Sequence, residues 1–302
     1  MNNQEDHEIE LEFQEDSNGR VLYGYDPRQN FAYDLNQSIK SPWVSKSLLY
    51  INIGIFILML VKGVDLMKPQ PQELLEWGAS HYLLSVGDEP WRIFTCMFLH
   101  FGLMHLLFNM WALKAVGEFV ERLYGNKAYI LIYFASGLIG SLNSLWWQRH
   151  ALNAVSAGAS GAIFGIFGAM AAFIIVQKKI IPVDFYEHLK KNIFTVIGLN
   201  VIIALSMKGI GHSAHLGGLG TGFILGLILA GPLNLAERRK SITKKLLFGL
   251  TLVGLTMSLG WKALPKEPIE FEKMKKNWIH QESLLSEKEQ QFLTSASGNR
   301  LE

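Results

Sequence analysis

Long apolar runs separated by short polar breaks dominate this chain of 302 residues. Seven of them approach the ~20 residues that cross about 30 Å of hydrocarbon at about 1.5 Å per residue. They lie at about 46–63, 97–117, 128–147, 157–177, 192–208, 213–231 and 245–262. The pattern predicts an all-α polytopic membrane protein, because a helix satisfies its own backbone polar groups in lipid. Outside the runs, residues 8–25 (EIELEFQEDSNGRVLYGY) alternate apolar and polar positions about an Asn-Gly pair, a β-hairpin signal. A lone hairpin is marginal in water, so 1–44 reads as an acidic tail or a small hairpin unit. Residues 263–302 form a further tail with a helix-like charged run and no chemical signature.

Charge sharpens this picture. Charged residues make up 18% of the chain, below the usual ~25% of soluble proteins. The net charge of +2 hides a segregation of sign: residues 1–39 carry nine acids against Arg20 and Arg28. Basic residues gather after the second, fourth and sixth runs, at Arg122/Lys127, Lys178/Lys179/Lys190/Lys191 and Arg238/Arg239/Lys240/Lys244/Lys245. The positive-inside rule then puts the N-terminus in the cytoplasm and the C-terminus outside it, an odd number of crossings. Clusters that mark topology do not form a nucleic-acid surface, so no nucleic-acid partner is expected. The single cysteine, Cys96, offers no internal disulfide. No signal or transit peptide stands at the start, and a bacterial inner membrane is the expected location.

Polar groups inside apolar spans are costly and need a reason. They are His100, His105 and Asn109 in the second run, Asn143 in the third, Ser160 in the fourth, Asn200 in the fifth, and His212 and His215 opening the sixth. The even-numbered runs all enter from outside. His100, His105 and Asn109 therefore fall in an outer half, Ser160 one turn below an outer end, and His215 in a first turn. His105 and Asn109 are four apart and share a helix face. Gly161, Gly165 and Gly168 form a small-residue stripe in the fourth run, and Gly218, Gly222 and Gly226 one in the sixth; such stripes let helices approach closely in lipid. Packed on those faces, the two helices bring His215 within reach of Ser160.

This set suits acyl transfer. A serine hydroxyl becomes a nucleophile when imidazole takes its proton. Ser160 near a helix start also offers free backbone N–H groups to an oxyanion, with His105 and Asn109 as side-chain donors. No acid lies near His215 in the sequence, which favours a dyad, and Phe164, one turn on, is placed to pack against the imidazole. Each motif alone has a plainer reading: GASG is ordinary helix-packing sequence, and His105 with Asn109 also suits interhelical hydrogen bonding. A metal held by His100, His105, His212 and His215 lacks a carboxylate or cysteine partner, so no metal and no cofactor are expected.

Taken together and in order, WR at 91–92, HFGLMHLLFNMWAL at 100–113, Glu121–Gly125, GASG at 158–161 and AHLGGLGTG at 214–222 resemble the rhomboid family of intramembrane serine proteases. The resemblance covers about 45–232 and implies a six-helix bundle with a water-filled outer cavity. The run at 245–262 adds a seventh helix, a 6+1 arrangement, after a basic connection within 233–262. It implies Ser160 as nucleophile, His215 as base, and Ser160, His105 and Asn109 as the oxyanion hole. His100 becomes a cavity-lining histidine, with Gly158, Gly161, Phe164, Gly218 and Gly222 in support. Trp91 and Arg92 fall in a membrane-embedded first loop, and Glu121 in an inner hydrogen-bond network. The implied substrates are single-span transmembrane proteins within the lipid bilayer. His212 departs from the Asp or Asn that relatives often carry there. A catalytically silent rhomboid-like binding module is the alternative; silent branches typically lose the serine or histidine, and both stand here. A transporter would show an inverted repeat, which is not visible.

Overall fold

The computed structural model describes residues 28–149, 154–187 and 212–265 without interruption, with positions 14–15, 21–22, 26, 189–191, 195, 198, 273, 276–277, 280 and 283 beside them. The expected fifth span at 192–208, with Asn200, lies almost wholly outside the described residues, as do the turn before His212 and most of both tails. Two short strands pair antiparallel in the acidic segment, β1 (Gln14–Glu15) with β2 (Val21–Leu22).

From residue 31 the elements are α1 (Phe31–Gln37), α2 (Trp43–Val61), α3 (Pro71–Glu76), β3 (Ser80–His81), α4 (Tyr82–Val86), α5 (Arg92–Thr95), α6 (Leu103–Tyr124) and α7 (Asn126–Gln148). They continue with β4 (Val155–Ser156), α8 (Ser160–Val176), α9 (His212–Leu229) and α10 (Leu235–Ala263). Among the described residues, four helices are long and apolar enough to cross a membrane: α2, α7, α9 and the Glu237–Ala263 part of α10. A fifth is added if Arg92–Phe98 and Leu103–Tyr124, bent by 88°, form one broken span.

That bend corrects the expected straight run at 97–117. His100 stands before α6 rather than within a span. The cause is Gly102, with φ of +86°: its N–H donates to the His100 carbonyl at 2.9 Å, and the Met67 carbonyl occupies the place a side chain would need. The partner turn is fixed by Asp65, which accepts from the backbone N–H groups of Lys68 (2.6 Å) and Met67 (2.8 Å). These bonds hold the Asp65 carboxyl below its usual pKa. Helix α10 also differs from expectation, since it begins at Leu235 and takes in the basic connection. Buried Arg238 ties that early turn to the core by donating to the Leu123 carbonyl at 3.0 Å.

Helix α8 is apolar on all sides, the signature of a helix enclosed by others. Ala162, Ile166, Ala169, Ala172 and Phe173 are all sealed from the surface. Helices α7 and α9 pack directly on it. Large apolar side chains such as Tyr50, Leu58, Phe108, Trp111, Leu247, Phe248 and Leu259 point outward instead. So much exposed apolar surface suits lipid and not water.

Two polar knots brace the bundle. Arg92, buried, donates to the Leu75 (2.6 Å) and Ala79 (3.0 Å) carbonyls and lies over the Trp91 ring, which folds the first connection back on itself. At the other end Glu121, with no exposed surface, caps α2. Its oxygens accept from Val44 N–H (3.0 Å), Ser45 N–H (2.8 Å), Ser45 Oγ (2.7 Å) and Asn126 Nδ2 (3.0 Å). Replacing Glu121 by alanine strands these donors at a cost of about 1–3 kcal/mol each. Glu121→Ala should therefore lower the midpoint of thermal unfolding in detergent sharply, and Glu121→Gln less so. An unchanged midpoint in Glu121→Ala would show that the cap is dispensable.

Candidate active site

Ser160 is the first residue of α8, not one turn into a span as its position in the run suggests. Gly158, with φ of +135°, turns the chain into the helix just before it. The approach strand is held on two sides: β4 pairs antiparallel with β3, and Gly158 N–H donates to the Cys96 carbonyl at 2.8 Å. A helix start leaves its first N–H groups without intrahelical partners, and the dipole makes this end attractive to negative charge. At 17 residues α8 is about 26 Å long, a few Å short of the hydrocarbon layer.

His215 arrives from α9. Its Nε2 stands 2.8 Å from Ser160 Oγ, and its ring stacks on Phe164 with centroids 4.3 Å apart and planes 7° from parallel. The stacking fixes the imidazole plane, a task that a carboxylate performs in triads. Among the described residues no carboxylate forms an ion pair with His215. Both partners are half-buried, so the pair is reachable.

The glycine stripes explain this proximity. A side chain at Gly218 or Gly222 would run into the Gly161 or Gly165 carbonyl, and one at Gly168 into the backbone of Leu219. The helices therefore touch backbone to backbone, which carries His215 to Ser160. Asn143 on α7 donates from Nδ2 to the Ser213 carbonyl at 2.6 Å and holds the start of α9.

His105 borders the other side. Its Nδ1 accepts from Phe101 N–H at 3.1 Å, which in a neutral ring leaves the proton on Nε2. That Nε2 edge faces Gly158: a Cβ placed there would stand 2.8 Å from His105 Cε1 and 3.1 Å from Nε2. Gly158 thus serves twice, for its backbone angle and for the space the imidazole occupies. Asn109, buried below, donates from Nδ2 to the His105 carbonyl at 2.9 Å, leaving one of its two amide hydrogens for another acceptor. His100 is fully buried and meets His105 edge to face, centroids 5.2 Å apart. His212 is exposed at the first position of α9. No three His, Cys, Asp or Glu side chains converge as metal ligands among the described residues.

Comparison with known proteins bears on this constellation. A rhomboid domain is matched over residues 87–232. RHOMBOID-like protein 2 of Arabidopsis thaliana is 32% identical over 249 residues, covering 76% of this chain and 75% of the relative. The chain belongs to the rhomboid family. It is accordingly an integral membrane protein of several spans. Rhomboid protease GluP of Bacillus subtilis (strain 168) is 32% identical over 207 residues, which cover 68% of this chain and 38% of GluP. RHOMBOID-like protein 4 of Arabidopsis thaliana is 36% identical over 148 residues, 47% of this chain and 35% of the relative. The chain thus matches little more than a third of the length of these last two.

Some supports of this rhomboid site gave no signal in the sequence. Tyr124 locks α6 to both helices of the glycine contact, with its hydroxyl 2.8 Å from the Ala169 carbonyl and 3.2 Å from that of Gly226. The β3–β4 pair spans 75 residues with two residues per strand, too short for an alternating pattern to show. Asn143 was visible as a polar residue in a span, but its acceptor was a backbone carbonyl, which no sequence pattern announces.

Proposed function

We propose that this chain is an intramembrane serine endopeptidase that hydrolyses peptide bonds in or near the transmembrane segments of single-span proteins, through a Ser160–His215 dyad. The observation that carries this is the 2.8 Å contact between His215 Nε2 and Ser160 Oγ at the N-terminus of a buried helix. Attack of Oγ on the scissile carbonyl carbon passes the hydroxyl proton to Nε2. The resulting oxyanion accepts from the Ser160 backbone N–H, His105 Nε2–H and the free Asn109 amide hydrogen; one such donor is worth about 3–4 kcal/mol. Protonated His215 then gives its proton to the leaving nitrogen as the C–N bond breaks, leaving an acyl-serine. Water attacks the acyl carbon with His215 again as base, releasing the new carboxyl end and restoring Ser160. No cofactor enters these steps.

Phe164 has a part beyond orientation. Its face stacks on an imidazole that becomes cationic midway through the reaction, and an aromatic face stabilises such a cation by about 1–2 kcal/mol. Phe164→Leu should reduce kcat about tenfold with KM little changed. An equal loss in KM alone would place Phe164 in substrate binding.

The same reading gives the core, 45–232, six helices, with the segment 192–208 completing them and α10 as a seventh. Arg122, Arg238 and Lys179 meet at one end of the bundle, where Arg238 bonds the Leu123 carbonyl and Arg28 the Lys179 carbonyl, opposite the end that bears Ser160. With the basic end in the cytoplasm, the site opens on the outer side of a bacterial inner membrane, the N-terminus lies inside and the C-terminus outside. A helical peptide bond is shielded by its own hydrogen bonds, so substrates should carry helix-breaking residues near the cut.

Reconstitution tests the reading. Purified protein in liposomes, given a single-span substrate with Gly or Pro near the outer end of its helix, should yield two fragments whose new termini map within or beside that helix. Capture of the substrate without cleavage would point instead to a silent binding module.

A further inference from the structure

We infer that the middle of the bundle, where α7 faces α2, binds a short line of water molecules held by Tyr129, Tyr133, Asn52 and Ser136. Residues 129, 133 and 136 stand at i, i+4 and i+7 on α7 and share one face. All four side chains have no exposed surface, and Asn52 Oδ1, both tyrosine hydroxyls and Ser136 Oγ have no hydrogen-bonding partner in the protein. The Asn52 amide nitrogen is already committed to the Leu48 carbonyl at 2.7 Å, so the oxygen remains. The Tyr133 hydroxyl faces Asn52 without completing a hydrogen bond to it. The Tyr129 hydroxyl lies over Gly117, 3.0 Å from where a Cβ would stand, and Ser136 packs against Gly165.

Four orphaned polar atoms in one buried line are costly in a bundle surrounded by lipid, where bulk water cannot reach them. A bound water needs two to four polar partners, and hydroxyls that both donate and accept supply them. About two waters, each making about three hydrogen bonds, satisfy the set. The neighbouring Tyr124 shows the contrast: it is equally buried, but its hydroxyl is spent on the Ala169 and Gly226 carbonyls. The line is separate from the candidate active site. Its upper end, at Ser136 against Gly165, lies about 7.5 Å below Ser160 along α8. Its lower end approaches Glu121, whose charge acts on Tyr129.

Radiolytic hydroxyl-radical labelling of the full chain in detergent, read by mass spectrometry, tests this without reference to activity. Radicals form from water where it sits, so buried tyrosines beside bound water are oxidised while dry ones are spared. Tyr129 and Tyr133 should be modified severalfold faster than Tyr124. In the Asn52→Leu, Tyr133→Phe double variant, Tyr129 labelling should fall to the Tyr124 rate. Labelling of Tyr129 and Tyr133 as slow as that of Tyr124 in the wild-type protein overturns the proposal. So does a Tyr129 rate that the double variant leaves unchanged.

Discussion

Ser160→Ala is expected to lower turnover of a single-span substrate by about four orders of magnitude or to the floor of the assay. Folding should be unaffected. The side chain is half-buried at the first position of α8, its hydroxyl bonds only to His215, and alanine suits a helix start flanked by small residues. His215→Ala should fall as far, because nucleophile and base act as one unit and removing either disables both. The double variant should then be no worse than either single one. Thermal unfolding in detergent checks that both proteins remain intact. Additive losses would mean that Ser160 and His215 do not act in one step.

Gly222→Val should be nearly as damaging by a different route. Gly222 sits against the Gly165 carbonyl and Cα, where no side-chain rotation can relieve a clash with backbone. Overpacking of this kind costs about 1–3 kcal/mol where side chains can move, and more against backbone. The helices must separate, and His215 moves away from Ser160 with them. A displacement of about 1 Å at a catalytic group costs about a hundredfold in rate. Gly222→Val should therefore lose both thermal stability and cleavage. Gly220, two residues away on the same helix, has open space beside it, so Gly220→Val should behave almost like the parent protein. Equal behaviour of the two variants would remove backbone contact as the reason for the α8–α9 approach.

Much of the site was legible because membrane chemistry makes polar residues conspicuous. Ser160, His105, Asn109 and His215 stood out as groups that lipid penalises, and the glycine stripes at 161/165/168 and 218/222/226 indicated which helices touch. Their spacing foretold a contact, and the side of α8 on which Phe164 lies put an aromatic ring near the histidine. Termini were harder to read. Apolar runs carry no mark where a helix yields to a bend, so the break at Leu99–Gly102 was hidden inside a continuous run at 97–117. It depends on Gly102 fitting beneath the Met67 carbonyl, a contact between segments 35 residues apart. The early start of α10 was hidden for the opposite reason: its first turns are basic, and the bonds from Arg238 that hold them to the core are to carbonyls.

The central claim is that Ser160 is a nucleophile activated by His215. The most direct measurement is covalent labelling with a fluorophosphonate, followed by peptide mapping of the adduct. The account predicts a single phosphonylated residue, Ser160, with labelling abolished in Ser160→Ala and at least strongly slowed in His215→Ala. An adduct on another residue, or unmodified Ser160 in protein that cleaves its substrate, would contradict it.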